Sequence, residues 1–453
     1  MQTTYSPFFW PTTSESNVLF SRAICANGPL ENIVKATEEL HIPINDQATG
    51  KAFGGYFCPH NQDPKTETRS SAEEAYYASA KPRQNFHIIT GHMVSRIVTE
   101  SRNGTVKVTG VEFAQSADAK LQHTKVKREA VLAAGTLHTP QLLQVSGIGD
   151  ASLHASINVS TVVDLPAVGH NLHDHLFVTV VHALNTSVLT NTLTTNATFA
   201  AQARQQYDDK RSGPLTSPTG DFLLFLPVKT YSNATQSILA QALEAGPSAS
   251  LPSDTPAEVV RGYKAQFASL NKKLEADNSA FLEVIWADGV MVLGLQHPYS
   301  RGSLKAKSSS IFDAPVADAG FLRNGVDVAL LREAVHFARR LAVTPAIASL
   351  NPFEAVPGAN VTASADIDAF VRSSATTLYH PAGTCKMGPK EEGGVVDEQL
   401  KVYGVDNLRI VDASTIPILP ASHTMTTVYA VAEKAADIIK GNGKGYGKSG
   451  YEV

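Results

Sequence analysis

Two short histidine-bearing blocks, LYHPAGTCKMG around His380 and ASHTMTT around His423, bracket the stretch GGVVDEQLKVYGVDNLRIVDAS, and this succession constrains the fold more than anything else in the chain. The middle stretch alternates like a strand, with Leu408–Val411 its clearest part, and it closes on Asp412 shortly before the second histidine. From Thr424 to Lys440 the apolar residues Val428, Val431, Ala432, Ala435, Ile438 and Ile439 recur at helical spacing, and Gly441 suits the position just past a helix end. Strand, histidine and helix in that order put His423 beside the helix N-terminus, where the free N–H groups of Thr424, Met425 and Thr426 carry partial positive charge. A lone histidine is more often structural than catalytic. Two of them, each in an unusual setting, suggest a paired catalytic site.

A second block agrees. Gly135 to Gly149 reads GTLHTPQLLQVSGIG, with a Thr-Pro step, an apolar pair and a closing Ser-Gly-Ile-Gly. Together with the histidine blocks it resembles the signatures of the glucose-methanol-choline (GMC) family of FAD-dependent alcohol oxidoreductases. Shorter stretches add to the resemblance: LPAVGHNLHDH at 165–175, HPYSRG at 297–302, and the loop that enters the helix start Arg69-Ser70-Ser71-Ala72, with Ser71 a candidate N-cap and Glu74 three residues on. The likeness runs from about Cys25 to Gly441. It implies a mixed α/β chain with a discontinuous FAD-binding domain over 81–150 and 397–441, and a substrate-binding domain over 151–396 whose antiparallel sheet and flanking helices roof the flavin. Residues 1–80 are read as a connecting region or remnant of the FAD domain, and 442–453 as a flexible tail.

The family's opening motif is not found. A G-x-G-x-x-G turn between strand and helix holds the FAD pyrophosphate in such folds, whereas the first twenty residues here, MQTTYSPFFWPTTSESNVLF, have neither the glycines nor the strand. One match occurs at Gly445 to Gly450, without a preceding strand. The FAD-binding domain is therefore expected to be incomplete, from an N-terminally truncated member, and the chain alone to hold FAD weakly and to aggregate readily. The other expected elements are a short helix over 29–41 and strands over Phe86–Thr90, Val94–Val98, Val106–Phe113 and Glu129–Ala133. FLEVIWADGVMVLGLQHPYSRGSLKAKSS, from Phe281, reads as antiparallel strands.

Alcohol oxidation needs a base near the hydroxyl and an acceptor facing the carbon that loses hydride. Imidazole suits the first task. No side chain can perform the second, so a cofactor must; by resemblance it is FAD. The resemblance puts His380 at the base position and His423 at the partner that hydrogen-bonds the alkoxide oxygen, with the order of the two left open. It further implies that Val94 offers backbone atoms to the adenine and that Asp412 and Ala413 lie along the ribityl or phosphate portion. Thr424, Met425 and Thr426 would face the pyrimidine edge of the flavin. An aspartate ending a strand is also an ordinary turn residue. His170, His173, Asp174 and His175 invite a zinc reading, but the loop resemblance accounts for that stretch without a metal, and none is assigned.

The function expected is oxidation of a CH–OH group on a small-molecule alcohol, an aromatic or secondary-metabolite alcohol being the leading candidate, with oxygen or a quinone-like acceptor taking the electrons. Alternatives are a non-redox cyclase on the same fold and a non-catalytic remnant. A serine hydrolase is disfavoured because no G-x-S-x-G elbow is present. At 453 residues more than one domain is expected, and a net charge of −4 gives no reason to expect nucleic acid as a partner. No apolar run is long enough to span a bilayer. Asn-x-Ser/Thr at Asn103, Asn158, Asn185, Asn196, Asn233 and Asn360 suggests a glycoprotein and passage through the secretory pathway. In the same direction, Cys25 and Cys58 flank a segment that some secreted relatives close with a disulfide.

Overall fold

The computed structural model describes residues 29–45, 53–186, 192–216, 220 and 222–441. The largest element is a seven-stranded antiparallel sheet in the order Gly54–Phe57, Phe222–Leu226, Leu282–Ala287, Val290–Leu295, Leu176–Ala183 and Phe353–Val356, with Thr376–Thr377 also pairing on Leu176–Ala183. Phe222–Leu226 is apolar at every position and buried throughout, the pattern of a strand covered on both faces. Leu176–Ala183 instead alternates buried and half-buried positions. The hairpin Leu282–Ala287/Val290–Leu295 turns on Asp288 and Gly289, both with positive φ (48° and 92°), as a tight primed turn requires.

Helices Gly325–Ala342 and Ala257–Glu275 cover this sheet. Leu331, Val335 and Ala338 from the first, and Tyr263, Phe267 and Leu270 from the second, join Leu176, Val178, Val284 and Leu293 in one core. Each such buried aliphatic side chain stabilises the fold by roughly 1.5–3 kcal/mol over exposure.

A second core underlies the smaller sheets. Met93–Arg102, Thr105–Ala114 and Gln122–Lys125 form a three-stranded antiparallel sheet. Ala130–Leu132 pairs in parallel with Leu408–Ile410, which joins two segments far apart in sequence. The helix Gly135–Val145 follows directly and buries Leu142, Leu143 and Val145 against Ile97 and Val168.

The elements differ from expectation in two places. Phe86–Thr90 is irregular, not a strand, and Ile88 and Ile89 are exposed; a β-run needs a partner, and no described segment pairs with it, so the first strand of this sheet begins at Met93. Gly54–Phe57, within the segment read as a connecting region, is a strand of the large sheet. The helix over 29–41 appears as Pro29–Glu39. Ser71 precedes Ala72, the N-cap of the helical turns Glu73–Tyr77 and Ala78–Ala80; its N–H donates to Glu74 Oε2 at 2.8 Å, and its Oγ accepts from the Glu73 N–H at 3.2 Å. The Gly445–Gly450 match lies outside the described residues.

Candidate active site

His380 sits on a loop clamped from beneath by the Asp174-His175 pair. Thr376–Thr377 pairs with Leu176 and Phe177, and the Leu378 N–H donates to the His175 carbonyl at 2.8 Å. Asp174 then takes two bonds: Oδ2 from Thr377 Oγ1 at 2.5 Å and Oδ1 from the His380 N–H at 2.9 Å. The chain between swings through Tyr379, whose φ is +61°. This brings the His380 and His175 rings together at right angles, Nδ1 to Nδ1 at 3.0 Å.

His423 approaches from the other side. It is the N-cap residue of the helix Thr424–Lys440 but makes no side-chain capping bond. Its ring stands 5.7 Å from that of His380, centroid to centroid, and Nε2 bonds Glu283 Oε1 at 2.7 Å. Glu283 is fully buried in the strand Leu282–Ala287, and its second oxygen accepts from Gln296 Nε2 at 2.8 Å. The large sheet thus carries a carboxylate up to the second histidine.

The two imidazoles are driven apart in charge. Burial, reinforced by the nearby His423, pulls the pKa of His380 down to about 4. Burial also acts to lower that of His423, but hydrogen bonds to Cys58 and Glu283 and the Glu283 charge outweigh it and hold the value at about 10. At neutral pH His380 is therefore neutral and His423 cationic. One histidine is ready to accept a proton and the other to stabilise negative charge on oxygen.

The remaining expected residues divide. Thr424, Met425 and Thr426 form the first turn of the 17-residue helix, with Met425 and Thr426 exposed. Val94 lies near the start of Met93–Arg102, paired with Phe113, and is exposed. The Asp412 side chain turns inward: Oδ2 accepts from the Gly135 N–H at 3.0 Å and Thr139 Oγ1 at 2.6 Å, and Oδ1 from the Ser414 N–H at 2.8 Å. Asp412 thus fastens the helix Gly135–Val145 to the strand end, and its carbonyl and that of Ala413 also accept bonds within the protein, from Thr415 and from the Gly383 and Ile416 N–H groups. His173 is committed as well, donating from Nδ1 to the Asn171 carbonyl at 2.7 Å and accepting at Nε2 from the Leu419 N–H at 3.1 Å. His170 lies buried in a strand against Ser303. Cys25 lies outside the described residues, and Cys58 carries a free thiol beside His423.

Sequence reasoning passed over Glu283. The signal was a lone carboxylate in the apolar run FLEVIW, since a charge inside a buried strand requires a partner.

Models of the GMC oxidoreductase family match residues 14–177 and 298–432. The FAD-dependent oxidoreductase from Chaetomium thermophilum superposes with a TM-score of 0.90 at 32% identity, covering 94% of this chain and 74% of that one. The chain belongs to the GMC oxidoreductase family. A fungal aryl-alcohol oxidase superposes with a TM-score of 0.85 at 34% identity, covering 92% of this chain and 71% of that one. Among curated proteins, the GMC oxidoreductase family protein Mala s 12 of Malassezia sympodialis is 32% identical over 431 residues, which is 91% of this chain and 66% of that protein. The chain therefore spans just under two thirds of that relative's length.

FAD is the family's cofactor, and the residues present fit one end of it. The N-terminus of Thr424–Lys440, without a side-chain cap and next to His423, would offer positive potential to an electron-rich part of the cofactor. No glycine-rich turn between strand and helix lies among the described residues to cradle the pyrophosphate.

Proposed function

We propose that this site oxidises the CH–OH group of a small-molecule alcohol to an aldehyde or ketone, with His380 as the base and His423 as the oxygen-binding partner. The observation that carries the reading is the pair itself: two imidazole rings 5.7 Å apart, one of them bonded at 2.7 Å to a buried carboxylate. Bound FAD supplies the hydride acceptor. His380 takes the hydroxyl proton as the C–H bond breaks, and His423 donates a hydrogen bond to the oxygen as it gains charge. The N–H groups of Thr424, Met425 and Thr426 stabilise the charge that follows the hydride. Similarity to an aryl-alcohol oxidase supports an aromatic or secondary-metabolite alcohol as substrate. Oxygen or a quinone-like molecule then takes the electrons.

The test is the pH dependence of flavin reduction by benzyl alcohol under anaerobic conditions in protein saturated with FAD. His380 stays neutral above about 4 and His423 stays protonated below about 10, so the rate is level between these values and falls on both sides. In Glu283→Gln the counter-charge is gone, and the alkaline limb moves down toward the ordinary histidine value of about 6.5. An alkaline limb unmoved by that substitution would remove His423 from its assigned role.

We also propose passage through the secretory pathway. All six Asn-x-Ser/Thr asparagines, Asn103, Asn158, Asn185, Asn196, Asn233 and Asn360, are exposed. Protein from a fungal host that glycosylates should lose mass on treatment with an N-glycosidase, and unchanged mass would count against this route.

A further inference from the structure

We propose that His173 is a positioning residue that sets the separation of the His380 and His423 rings, its main chain joined to the His380 segment and its side chain to the loop that ends in His423. This rests on the reading of that pair as the site of alcohol oxidation. His173 and Ala382 exchange both backbone bonds, at 3.2 and 2.9 Å, in an isolated antiparallel bridge just past His380. The His173 ring reaches the other way, and its Nε2 accepts from the N–H of Leu419, shortly before His423, at 3.1 Å. The state of the ring follows from its partners. Nδ1 meets the Asn171 carbonyl at 2.7 Å, which only accepts, and Nε2 meets a backbone N–H, which only donates, so the ring is neutral with its proton on Nδ1.

Other bonds tie the same two segments further back. The N–H groups of Gly383, Cys385 and Met387 donate to the carbonyls of Ala413, Ser414 and Thr415, which leaves the stretch from Ile416 to His423 to be placed. Asn171 spans this gap at its near end, donating to the Gly383 carbonyl at 3.3 Å and the Pro417 carbonyl at 3.2 Å. The His173 bond acts closer to His423. Leu419 itself is buried with Ala382 and Ile416 in a small apolar cluster, and its carbonyl takes a bond from His297, so it is held from both ends. Pro420 follows directly, and its fixed φ passes a shift of Leu419 on toward His423 where a freer residue would absorb it. The ring has no room to swing. Gly383, with φ +91°, packs on it so closely that a Cβ there would lie 2.5 Å from His173 Cε1. Misplacing a reacting group by about 1 Å slows a reaction by as much as ~10²-fold, so the length of this strut bears directly on rate.

The experiment compares two substitutions that divide the bonds of the ring. His173→Gln keeps an acceptor where Nε2 stands and loses the donor to Asn171, whereas His173→Asn keeps that donor and is too short to reach Leu419. Crystal structures of the chain as it stands should show the His380 and His423 rings at the wild-type separation of 5.7 Å in His173→Gln, and displaced by about 1 Å or more in His173→Asn. In FAD-saturated protein the limiting rate of flavin reduction by benzyl alcohol should fall about 10²-fold in His173→Asn at an unchanged half-saturating concentration, with His173→Gln rescued to within about threefold of wild type. A histidine that only filled space would show no such ordering. Unchanged ring separation in His173→Asn, or equal displacement in both variants, overturns the proposal. So does nitrogen-15 NMR of the wild type showing His173 protonated on Nε2, a measurement that needs no variant to fold. Because the ring separation and the tautomer are read without flavin or alcohol, these outcomes are separate from failure of the alcohol-oxidation reading, which the pH profile decides.

Discussion

Replacing His380 by alanine in FAD-saturated protein should slow flavin reduction by an alcohol roughly 10²–10⁴-fold, the span over which a general base acts, while leaving the visible flavin absorbance band intact. The argument is electrostatic as much as geometric. His423 is cationic at neutral pH and cannot accept a proton, whereas His380 is neutral with a pKa of about 4. The Asp174 and Thr377 bonds that fix the His380 loop act on the backbone and on Thr377, so the alanine variant keeps them. His423→Ala should also be slow, for a different reason: it removes the hydrogen bond to oxygen and leaves Glu283 buried without its cation. Flavin reduction at the wild-type rate in both variants, followed by anaerobic stopped-flow absorbance, would remove the catalytic assignment.

Arg301→Ala should destabilise the fold by about 3–5 kcal/mol, the cost of breaking up a buried charged cluster. Arg301 is 1% exposed. It donates to the carbonyls of Pro298 at 2.7 Å and Ser300 at 3.0 Å, to Gln266 Oε1 at 3.0 Å and to Asn171 Oδ1 at 3.2 Å. Its guanidinium lies 5.2 Å from the Tyr263 ring centroid, and Asp327 accepts from the N–H groups of Tyr299 and Ser300 beside it. Asn171 in turn donates to the Gly383 and Pro417 carbonyls. One side chain thus ties the helix Ala257–Glu275 to the loop that leads into Asp174 and His175, and to the block that contains His380. Its removal leaves several buried acceptors unpaired, and the urea midpoint should fall accordingly. An unfolding free energy within about 1 kcal/mol of wild type would show that these groups find other partners.

Residues whose roles are local were legible in the sequence. His380, His423 and the start of the Thr424–Lys440 helix lie in short blocks with a distinctive order, and the run from Phe281 reads as the antiparallel strands Leu282–Ala287 and Val290–Leu295 that the structure shows. What the sequence did not reveal was pairing across long separations. Glu283 meets His423 from 140 residues away, and nothing near either residue names the other. The same holds for Asp174 and His175, visible only as part of a loop motif until Thr376–Thr377 pairs with Leu176–Phe177 and brings them under His380. Asp412 shows the reverse case. Its place at a strand end fits a cofactor residue and a turn residue equally, and only its bonds to Gly135, Thr139 and Ser414 show which way the carboxylate faces. Phe86–Thr90 misled because an alternating run states a preference for a strand without supplying a neighbour.

The most direct measurement is anaerobic mixing of the FAD-saturated wild-type protein with benzyl alcohol, following the visible flavin band and the aldehyde together. The account predicts bleaching of the flavin with one aldehyde formed per flavin reduced, slowed when the carbinol hydrogens are replaced by deuterium. A flavin that dithionite reduces but that neither benzyl alcohol nor other primary and secondary alcohols bleach would contradict it, and would leave the histidine pair without the redox role assigned here.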